Sequence, residues 1–567
     1  MKKIWLKKFE EVPEDFLREF KDYPLPILQI FWLRNLRDES SIKKFLFPKW
    51  EDQYDPFLLK GVKEASQEIA KAIKNNERIG IFGDFDVDGV SATSLFHDFF
   101  NRLNFNNFEV ALPNYKDSYG LSLPAVKKFK ERKTNLIITV DCGITSNEVI
   151  KAAKNLSLKV IVTDHHLPQE NLPPAFSIVD PLLEGDKYPF KFLSGTGVAF
   201  KLIEGVASQL DWPFKESFAK WSADLLALAN VADFVPLKDE NRIMTRFGLI
   251  TLEKTRRVGL EKLKKSANLE GKITSRDIAF SLAPRLNIAP RIDDVNAAYQ
   301  LLVTESESEA EWIVEKLERG YHDWRETFNK AYQTVVSQIK EPLPKVLTFG
   351  SSGWKKGVVR TLSTRLREEF FRPVFLWQEN LLEVRGSARS IDKFNLVEVM
   401  EKISQKNKDI FINFGGHAKA AGFSLKPAYL KYFLEEINKY AEKLLKPEDL
   451  IPKIEIEANL KPEDINSQFI HYYELLEPFG IENQEPVFLA EGVIVKKVSL
   501  VGNNDTHLKL RVQWQNSFFE VIGFGQGKDW LNIKEDDKLD IVFNLRKNSY
   551  RGRETIDFYL LDWRKRE

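Results

Sequence analysis

Cysteine is almost absent from this chain, and its scarcity excludes two kinds of site. Cys142 is the single cysteine among 567 residues, so neither an intrachain disulfide nor a cysteine-rich zinc site can form. No apolar run is long enough to span a bilayer, and no apolar signal segment with a small-residue cleavage site follows Met1. We therefore expect a cytoplasmic protein with no membrane association.

The chain also lacks an excess of charge of either sign. Lysine and arginine number 84 and aspartate and glutamate 83, which leaves a formal net charge of +1. A uniformly basic surface is excluded, so any contact with a polyanion has to come from local patches. Two stretches are basic, residues 355–372 and residues 254–265. The second is equally typical of a solvated helix face and of a DNA contact.

Three carboxylates stand one residue apart behind a short apolar run. The run Ile79-Gly-Ile-Phe82 is followed at every second position by Asp84, Asp86 and Asp88. Side chains alternate between the two faces of a strand, so this spacing predicts carboxylates that project together. Their repulsion is costly unless a divalent cation neutralises it. The segment therefore predicts half of a metal site.

The same segment begins like the calcium-binding loop of an EF-hand, D-x-D-x-D-G. The last position of that loop should be a bidentate glutamate, and here it is Leu95. Such a loop should also follow a helix, whereas IGIF predicts a buried strand and VSATSLFHDFF a helix. We therefore favour a site at the end of a strand over a calcium loop.

Two further apolar runs end in residues of metal-ligand type. Leu136-Ile-Ile-Thr-Val140 precedes Asp141, and residues 160–163 precede Asp164-His165-His166. Side chains at the carboxyl ends of parallel strands converge in the crevice above the sheet. A fourth candidate is Asp233, in LANVADFVP. A lone aspartate after a strand often caps a helix, but four such clusters are improbable as independent caps.

In the order DFDVDG, VDCG, TDHH and NVADFVP, these segments resemble the four motifs of the DHH phosphoesterase superfamily. The rest of the chain resembles the single-strand-specific 5′→3′ exonucleases of that superfamily, in the segments 117–121, 194–199, 284–291, 385–389, 414–422 and 476–480. The resemblance implies metal-dependent hydrolysis of single-stranded DNA to mononucleotides in DNA repair and recombination. It also places the basic stretch 355–372 in the substrate-binding half.

The expected fold is α/β with several domains, because the chain is too long for one core. Alternating strand and helix patterns from residue 77 to residue 234 predict a parallel sheet. With the resemblance, we expect a helical N-terminal preface (1–55), a DHH catalytic domain (56–250), a helical segment with a long connecting helix (251–340), a smaller α/β DHHA1 substrate-binding domain (341–446) and an OB-type barrel (447–567).

The resemblance implies two divalent metal ions, with Mn²⁺ favoured by mixed carboxylate and imidazole ligands and Mg²⁺ as the second candidate. The implied ligands are Asp86, Asp88, Asp141, His165 and Asp233, with Asp84 less securely among them. Asp141 is expected to bridge both ions. His166 is expected to face the scissile phosphate, and Asp164 to orient the neighbouring histidine.

The resemblance also implies a pocket for the terminal phosphate, where arginine forks and hydroxyl groups suit a dianion. The residues expected to bind substrate are Tyr115, Arg285, Arg291, Ser387, Arg389, Gly415, Gly416 and His417. The family usually has glycine at Pro290, arginine near Tyr115 and histidine near Lys355. Dependence on a 5′ phosphate is therefore open, and Tyr115 is a candidate for stacking a base.

Two other functions stay under consideration. An oligoribonuclease or cyclic-dinucleotide phosphodiesterase of the same superfamily would share the metal core, but its relatives match only the two central domains. A noncatalytic single-strand-binding scaffold of the replisome would carry eroded motifs, whereas the ligands here are intact. The resemblance further implies a monomer with a single-strand-binding protein and a RecQ-type helicase as partners.

Overall fold

The structure is a computed structural model that describes residues 3–113, 120–213, 215–380, 382–502, 505–550 and 553–566. The chain forms two compact units. One comprises Lys8–Tyr321 with Glu457–Glu567, and the other comprises Met1–Lys7 with His322–Ile456. Among the helices described, none combines the length and the apolar character that crossing a bilayer requires.

The N-terminal region is mainly helical, as predicted. Its elements are β1 (Ile4–Lys7), α1 (Glu14–Glu19), α2 (Leu25–Leu33) and α3 (Glu39–Leu46). Helix α3 begins with a capping box, in which Asp38 accepts a hydrogen bond from the Ser41 amide at 2.9 Å. Helix α2 is apolar on nearly every side, and it is buried in one core together with residues of the C-terminal barrel.

A five-stranded parallel sheet forms the centre of the larger unit. Its region contains α4 (Val62–Lys74), β2 (Ile79–Gly83), α5 (Val87–Arg102), β3 (Phe108–Ala111), α6 (Leu123–Glu131), β4 (Leu136–Val140), α7 (Asn147–Asn155), β5 (Lys159–Thr163) and β6 (Ser177–Val179). The strand order is β3-β2-β4-β5-β6, and every neighbouring pair is parallel. Strands β2 and β4 are buried along their whole length, which is why they read as continuous apolar runs. The predicted parallel sheet is confirmed.

Helices follow the sheet up to residue 338. They are α8 (Gly195–Gln209), α9 (Lys215–Ala232), α10 (Asp239–Glu253), α11 (Val258–Ser266), α12 (Ser275–Asp277), α13 (Ala283–Leu286), α14 (Asn296–Val303) and α15 (Glu307–Gln338). A π-helical turn, Ile278–Leu282, joins α12 to α13. The long connecting helix is confirmed, since α15 has 32 residues.

The second unit is a smaller α/β fold built on a mixed sheet. It contains β7 (Leu347–Ser351), α16 (Lys356–Phe370), β8 (Val374–Glu379), β9 (Val384–Arg389), α17 (Leu396–Lys406), β10 (Phe411–His417), β11 (Ala420–Leu425), α18 (Leu430–Leu444) and β12 (Lys453–Ile456). The order is β10-β11-β9-β8-β7, in which only the pair β7–β8 is parallel. Strand β12 pairs in parallel with β1. Rings of Phe375, Phe423 and Phe433 meet in the core.

The chain ends in a closed β-barrel. Its elements are β13 (Ala458–Asn459), α19 (Ser467–Leu475), β14 (Phe488–Val501), β15 (His507–Trp514), β16 (Ser517–Gly523), β17 (Lys538–Tyr550) and β18 (Arg553–Lys565). The order is β13-β14-β15-β16-β18-β17, and a further pairing of β14 with β17 closes the barrel. This arrangement confirms the predicted OB-type domain.

Candidate metal centre

The predicted metal ligands meet at the carboxyl edge of the parallel sheet. Asp84 follows β2, Asp141 follows β4, Asp164–His166 follow β5, and Asp233 follows α9. Their ligand atoms form three overlapping groups, each within 4.8 Å: Asp84, Asp86 and Asp141; Asp88, His165 and Asp233; and Asp141, His165 and His166. The structure therefore brings all the predicted ligands together, although they come from four separate parts of the chain.

The first motif reaches this edge by a different route from the one that the spacing suggested. Strand β2 ends at Gly83, so strand alternation does not align the three aspartates, and that part of the prediction was wrong. Asp86 is the N-cap of α5 and accepts a hydrogen bond from the Gly89 amide at 3.0 Å, while Asp88 lies in the first turn. The helix start, with its tight turn, is what directs the carboxylates to one place.

Asp88 is held by the N-terminus of α8. Its buried carboxylate accepts hydrogen bonds from the Gly195 amide at 2.7 Å, the Thr196 amide at 2.7 Å and the Thr196 hydroxyl at 2.6 Å. The positive end of a helix favours a carboxylate at this position. A Cβ on Gly195 would lie 2.3 Å from Asp141 Oδ1, so only glycine allows α8 to come this close.

Sequence reasoning missed the roles of Gly195 and Thr196. Their segment, Ser194-Gly-Thr-Gly, belongs to the family resemblance but carries no ligand-type side chain. The available signal was a small-residue segment directly before a helix, which is typical of an anion-binding helix start. Nothing local in the sequence says that the anion is the carboxylate of Asp88.

His165 points its Nε2 atom into the carboxylate group. That atom lies 3.1 Å from Asp141 Oδ1, 3.6 Å from Asp233 Oδ2 and 3.8 Å from Asp88 Oδ2. Within the part of the chain that the structure describes, Nε2 makes no hydrogen bond. A buried imidazole nitrogen facing several carboxylate oxygens is the donor set that a divalent transition metal prefers.

The carboxylates at this edge have strongly perturbed acidities. Burial, and then the charge of Asp86, raises the pKa of Asp84 to about 7. Burial, and then the charge of Asp88, raises the pKa of Asp233 to about 8 and that of Asp141 well above its usual range. Carboxylates packed this closely need protons or a cation between them. The residues present therefore fit a divalent metal.

Asp164 and His166 form a pair beside the ligands. The fully buried Asp164 accepts hydrogen bonds from the amides of Ile144 at 3.0 Å and His165 at 2.8 Å, and from His166 Nδ1 at 2.7 Å. Although burial lowers it, the hydrogen bond and charge of Asp164 raise the pKa of His166 to about 9. The pair therefore presents a half-exposed imidazolium next to the metal ligands.

In the second unit, Ser387 and Arg389 lie together on β9. Arg389 donates to Ser387 Oγ at 3.1 Å and to Thr364 Oγ1 at 3.1 Å. Burial, followed by the charges of Arg360 and Arg367, lowers the pKa of Arg389 to about 10. This concentration of guanidinium groups on β9 and the basic helix α16 suits an anion.

Gly415, Gly416 and His417 are exposed at the end of β10. Gly416 has a φ of 137°, and a Cβ there would lie 2.4 Å from the carbonyl oxygen of Ala420. The segment therefore requires glycine for its turn into β11, and it presents open backbone beside an exposed imidazole.

The remaining predicted substrate contacts differ in their surroundings. Arg285 donates to Glu318 at 2.6 Å, so its guanidinium already has a carboxylate partner. Arg291 is exposed in a short 3-10 segment next to the buried Pro290. Tyr115 lies outside the described residues.

The basic stretch 254–265 is largely neutralised by the fold. Arg257 lies 2.6 Å from Asp98, and Lys262 lies 2.6 Å from Glu311. Lys264 donates to the carbonyl of Glu253 at 2.8 Å, near the end of α10. Of the two interpretations left open by the sequence, the structure favours structural pairing over DNA contact for this stretch.

Comparisons with known families match three segments of the chain. The DHH family N-terminal domain matches residues 78–230, the DHHA1 domain matches residues 333–443, and the RecJ OB domain matches residues 456–562. The three matches follow the order of the parallel-sheet domain, the second unit and the barrel.

Curated relatives extend the similarity to nearly the whole chain. The single-stranded-DNA-specific exonuclease RecJ of Bacillus subtilis is 34% identical over 93% of this chain, which spans 66% of that longer protein. The exonuclease of the same name from Haemophilus influenzae is 30% identical, with 95% of this chain and 96% of that protein covered.

Solved structures agree in fold. RecJ from Thermus thermophilus in complex with Mn²⁺ superposes with a TM-score of 0.83 at 26% identity, covering 100% of this chain and 79% of that one. The complex of the same protein with Mg²⁺ gives a TM-score of 0.76 at 25% identity, covering 100% of this chain and 78% of that one.

Proposed function

Because the chain belongs to the RecJ family of single-stranded-DNA-specific exonucleases, we propose that its metal centre hydrolyses single-stranded DNA from the 5′ end to mononucleotides. The observation that carries this proposal is the gathering of seven acidic and imidazole side chains at one edge of the parallel sheet. A role in DNA repair and recombination follows from the family.

Six residues are proposed to hold two divalent ions: Asp84, Asp86, Asp88, Asp141, His165 and Asp233. The mixed carboxylate and imidazole set favours Mn²⁺, and the Thermus thermophilus relative is known with Mn²⁺ and with Mg²⁺. When bound, such ions lower the pKa of water and neutralise charge on the phosphodiester. Asp141 and His165 each belong to two of the three groups of ligand atoms. Of the two, Asp141 would be the ligand common to both ions, because a carboxylate offers two oxygens whereas an imidazole offers a single nitrogen to the group.

Of the other residues at this edge, some are proposed to position the catalytic side chains, and His166 is proposed to transfer a proton. Asp164 holds His166 through Nδ1, so Nε2 is the atom that we assign to the scissile phosphate. There an imidazolium donates a hydrogen bond to a phosphate oxygen and is placed to supply a proton to the departing 3′ oxygen. Gly195 and Thr196 keep the carboxylate of Asp88 fixed.

Two separate sets of residues are proposed to contact the substrate. In the second unit, Ser387, Arg389, Gly415, Gly416 and His417 supply hydroxyl, guanidinium, backbone and imidazole donors suited to a phosphate. In the larger unit the proposed contacts are Tyr115, Arg285 and Arg291. Arg285 would have to share its guanidinium with Glu318.

We also propose the boundaries 1–55, 56–250, 251–340, 341–446 and 447–567 as functional divisions of the chain. From the family resemblance we propose a monomer in the cytoplasm that is recruited by a single-strand-binding protein and a RecQ-type helicase.

The match of residues 456–562 to the RecJ OB domain argues against the alternative function of an oligoribonuclease or cyclic-dinucleotide phosphodiesterase. The intact ligand set argues against a noncatalytic scaffold.

One digestion tests polarity, strand preference and end-group dependence together. An oligonucleotide labelled at either end, with and without a 5′ phosphate, is incubated with Mn²⁺, with Mg²⁺ and with EDTA, beside its duplex form. We expect early release of labelled mononucleotide from the 5′-labelled single strand, no release with EDTA and slow release from the duplex. Early release from the 3′-labelled strand would refute the polarity, and no release with either metal would favour the scaffold.

A further inference from the structure

The residue that follows the metal ligand Asp233 is an exposed aromatic in a strained backbone conformation. Phe234 has a φ of 57°, and 68% of its surface is exposed. The left-handed region is unfavourable for a bulky side chain, and a solvent-exposed ring gains no burial that would offset the strain. This conformation ends α9, where the Val235 amide donates to the Asn230 carbonyl at 3.3 Å, and it leaves the Phe234 ring in solvent directly after a metal ligand.

A second exposed aromatic lies in the loop that leads into α8. Phe192 is 47% exposed and stands three residues before Gly195, whose amide holds Asp88. Asn241 Nδ2 donates to the carbonyl of Phe192 at 2.6 Å and to that of Pro236 at 3.1 Å. One side chain therefore ties together the two loops that carry Phe192 and Phe234.

A cation accompanies the second ring. Lys238 Nζ lies 5.0 Å from the ring centroid of Phe192 and also pairs with Glu482. The ammonium of Lys238 is therefore shared between the Phe192 ring and a carboxylate. The two loops carry exposed aromatic rings next to the metal ligand Asp233 and next to the helix start that fixes Asp88, and such rings suit the bases of a single strand.

We propose that Phe234 and Phe192 form a stacking platform for the nucleobases of single-stranded DNA next to the scissile phosphate. The proposal rests on the nuclease function above and adds a subsite to it. Every base has an apolar face, so stacking on these rings retains a strand whatever its sequence. The bases of a duplex are already stacked on one another, so the platform also favours single strands.

The position of the rings selects nucleic acid over a protein partner as the occupant. Phe234 is bonded to the metal ligand Asp233, and the loop of Phe192 runs directly into the residues that fix Asp88. The molecule that covers these rings therefore lies beside the phosphodiester at the metal centre. The bases of that same strand are within reach of the rings.

The test uses the full-length chain with Mn²⁺ and three changes in the platform. Phe234→Gly removes a ring while accepting a φ of 57° without strain, so the loop keeps its course. Phe234→Tyr keeps a stacking face, and Phe192→Ala removes the second ring. KM and kcat are measured on an ordinary single strand and on one with two abasic residues at its 5′ end. Single-strand affinity is measured in parallel without metal.

Phe176→Ala is the matched control. Phe176 is 46% exposed, and Lys159 Nζ lies 5.4 Å from its ring centroid, so it offers the same ring and cation. It precedes β6, at the amino edge of the parallel sheet, on the side opposite the metal centre. A general effect of losing an exposed ring would show in this variant.

We expect Phe234→Gly to raise KM on the ordinary strand by about five- to hundredfold, with kcat changed far less and Mn²⁺ affinity unchanged. Phe192→Ala should act in the same direction, whereas Phe234→Tyr and Phe176→Ala should resemble the unmodified protein. On the abasic strand, Phe234→Gly and the unmodified protein should have the same KM.

Two results separate the platform from the nuclease function. If Phe234→Gly binds and cleaves the ordinary strand like the unmodified protein, the platform is refuted while the nuclease function stands. If the unmodified protein releases no nucleotide, the nuclease function fails, and the metal-free affinities of the same variants still decide whether the rings hold a single strand.

Discussion

Replacing Gly195 by alanine should damage the metal centre without unfolding the chain. The new Cβ would lie 2.3 Å from Asp141 Oδ1 and 2.6 Å from its Cγ. Ordinary contacts begin near 3.4 Å, so α8 or the carboxylate must shift by about 1 Å, and a displacement of that size at a reacting centre costs about a hundredfold in rate. Alanine is also a better helix former than glycine, so the helix itself is not weakened.

Gly197→Ala is the matched control for this prediction. Gly197 lies in the same turn, but a Cβ there meets Leu193 at 3.4 Å, an ordinary contact. We expect Gly195→Ala to lose about a hundredfold in turnover of a labelled single strand and to bind Mn²⁺ more weakly by calorimetry, whereas Gly197→Ala should retain both. Near-normal turnover and Mn²⁺ affinity in Gly195→Ala would refute the close approach of α8 to Asp141.

Three further predictions concern the protonated pair, the acidities and the core. His166→Ala should keep its Mn²⁺ but lose about 10²- to 10⁴-fold in turnover, whereas Asp141→Ala should lose Mn²⁺. Metal analysis measures the bound Mn²⁺, and single-turnover kinetics measures the rate of cleavage. An equal loss of metal in both variants would contradict the role of His166. Because the pKa is raised to about 7 in Asp84 and to about 8 in Asp233, Mn²⁺ must displace protons. Its affinity should therefore rise between about pH 6 and about pH 9, by up to about tenfold per pH unit for each proton displaced. The metal-free protein should lose thermal stability as the pH rises from about 4 to about 8, since the unfolded carboxyls release these protons near pH 4 whereas the folded ones hold them to higher pH. A Mn²⁺ affinity that does not change with pH would contradict the raised pKa values. Arg242→Met should lower the free energy of unfolding, measured in urea, by about 2–4 kcal/mol. The buried guanidinium of Arg242 donates hydrogen bonds to carbonyls at the C-terminus of α19, and the substitution would leave those carbonyls without these donors. An unchanged midpoint of the urea transition would show that these hydrogen bonds do not stabilise the fold.

The sheet and the identity of the candidate ligands were predictable because both leave local signals. Strands β2, β4 and β5 read as apolar runs, and a ligand-type residue follows each one. Parallel strands then place those residues at one edge whatever the details of the loops. The family motifs added the order of the domains.

The arrangement around the ligands was less predictable, because it depends on contacts between distant residues. Asp88 is fixed by Gly195 and Thr196, more than a hundred residues away in the chain. The charges of the stretch 254–265 looked available for DNA, but their carboxylate partners lie on other helices, at Asp98 and Glu311 among others. The burial of α2 in one core with the barrel likewise depends on contacts between residues far apart in the chain.

Anomalous diffraction from crystals soaked in Mn²⁺ tests the metal centre most directly. We predict two peaks about 4 Å apart at the carboxyl edge of β2, β4 and β5. Both should lie within coordination distance of Asp141, and one should also contact His165 Nε2. Peaks bound elsewhere, or none at this edge while the crystals hold Mn²⁺, would contradict the assignment of these residues as the metal ligands of the exonuclease.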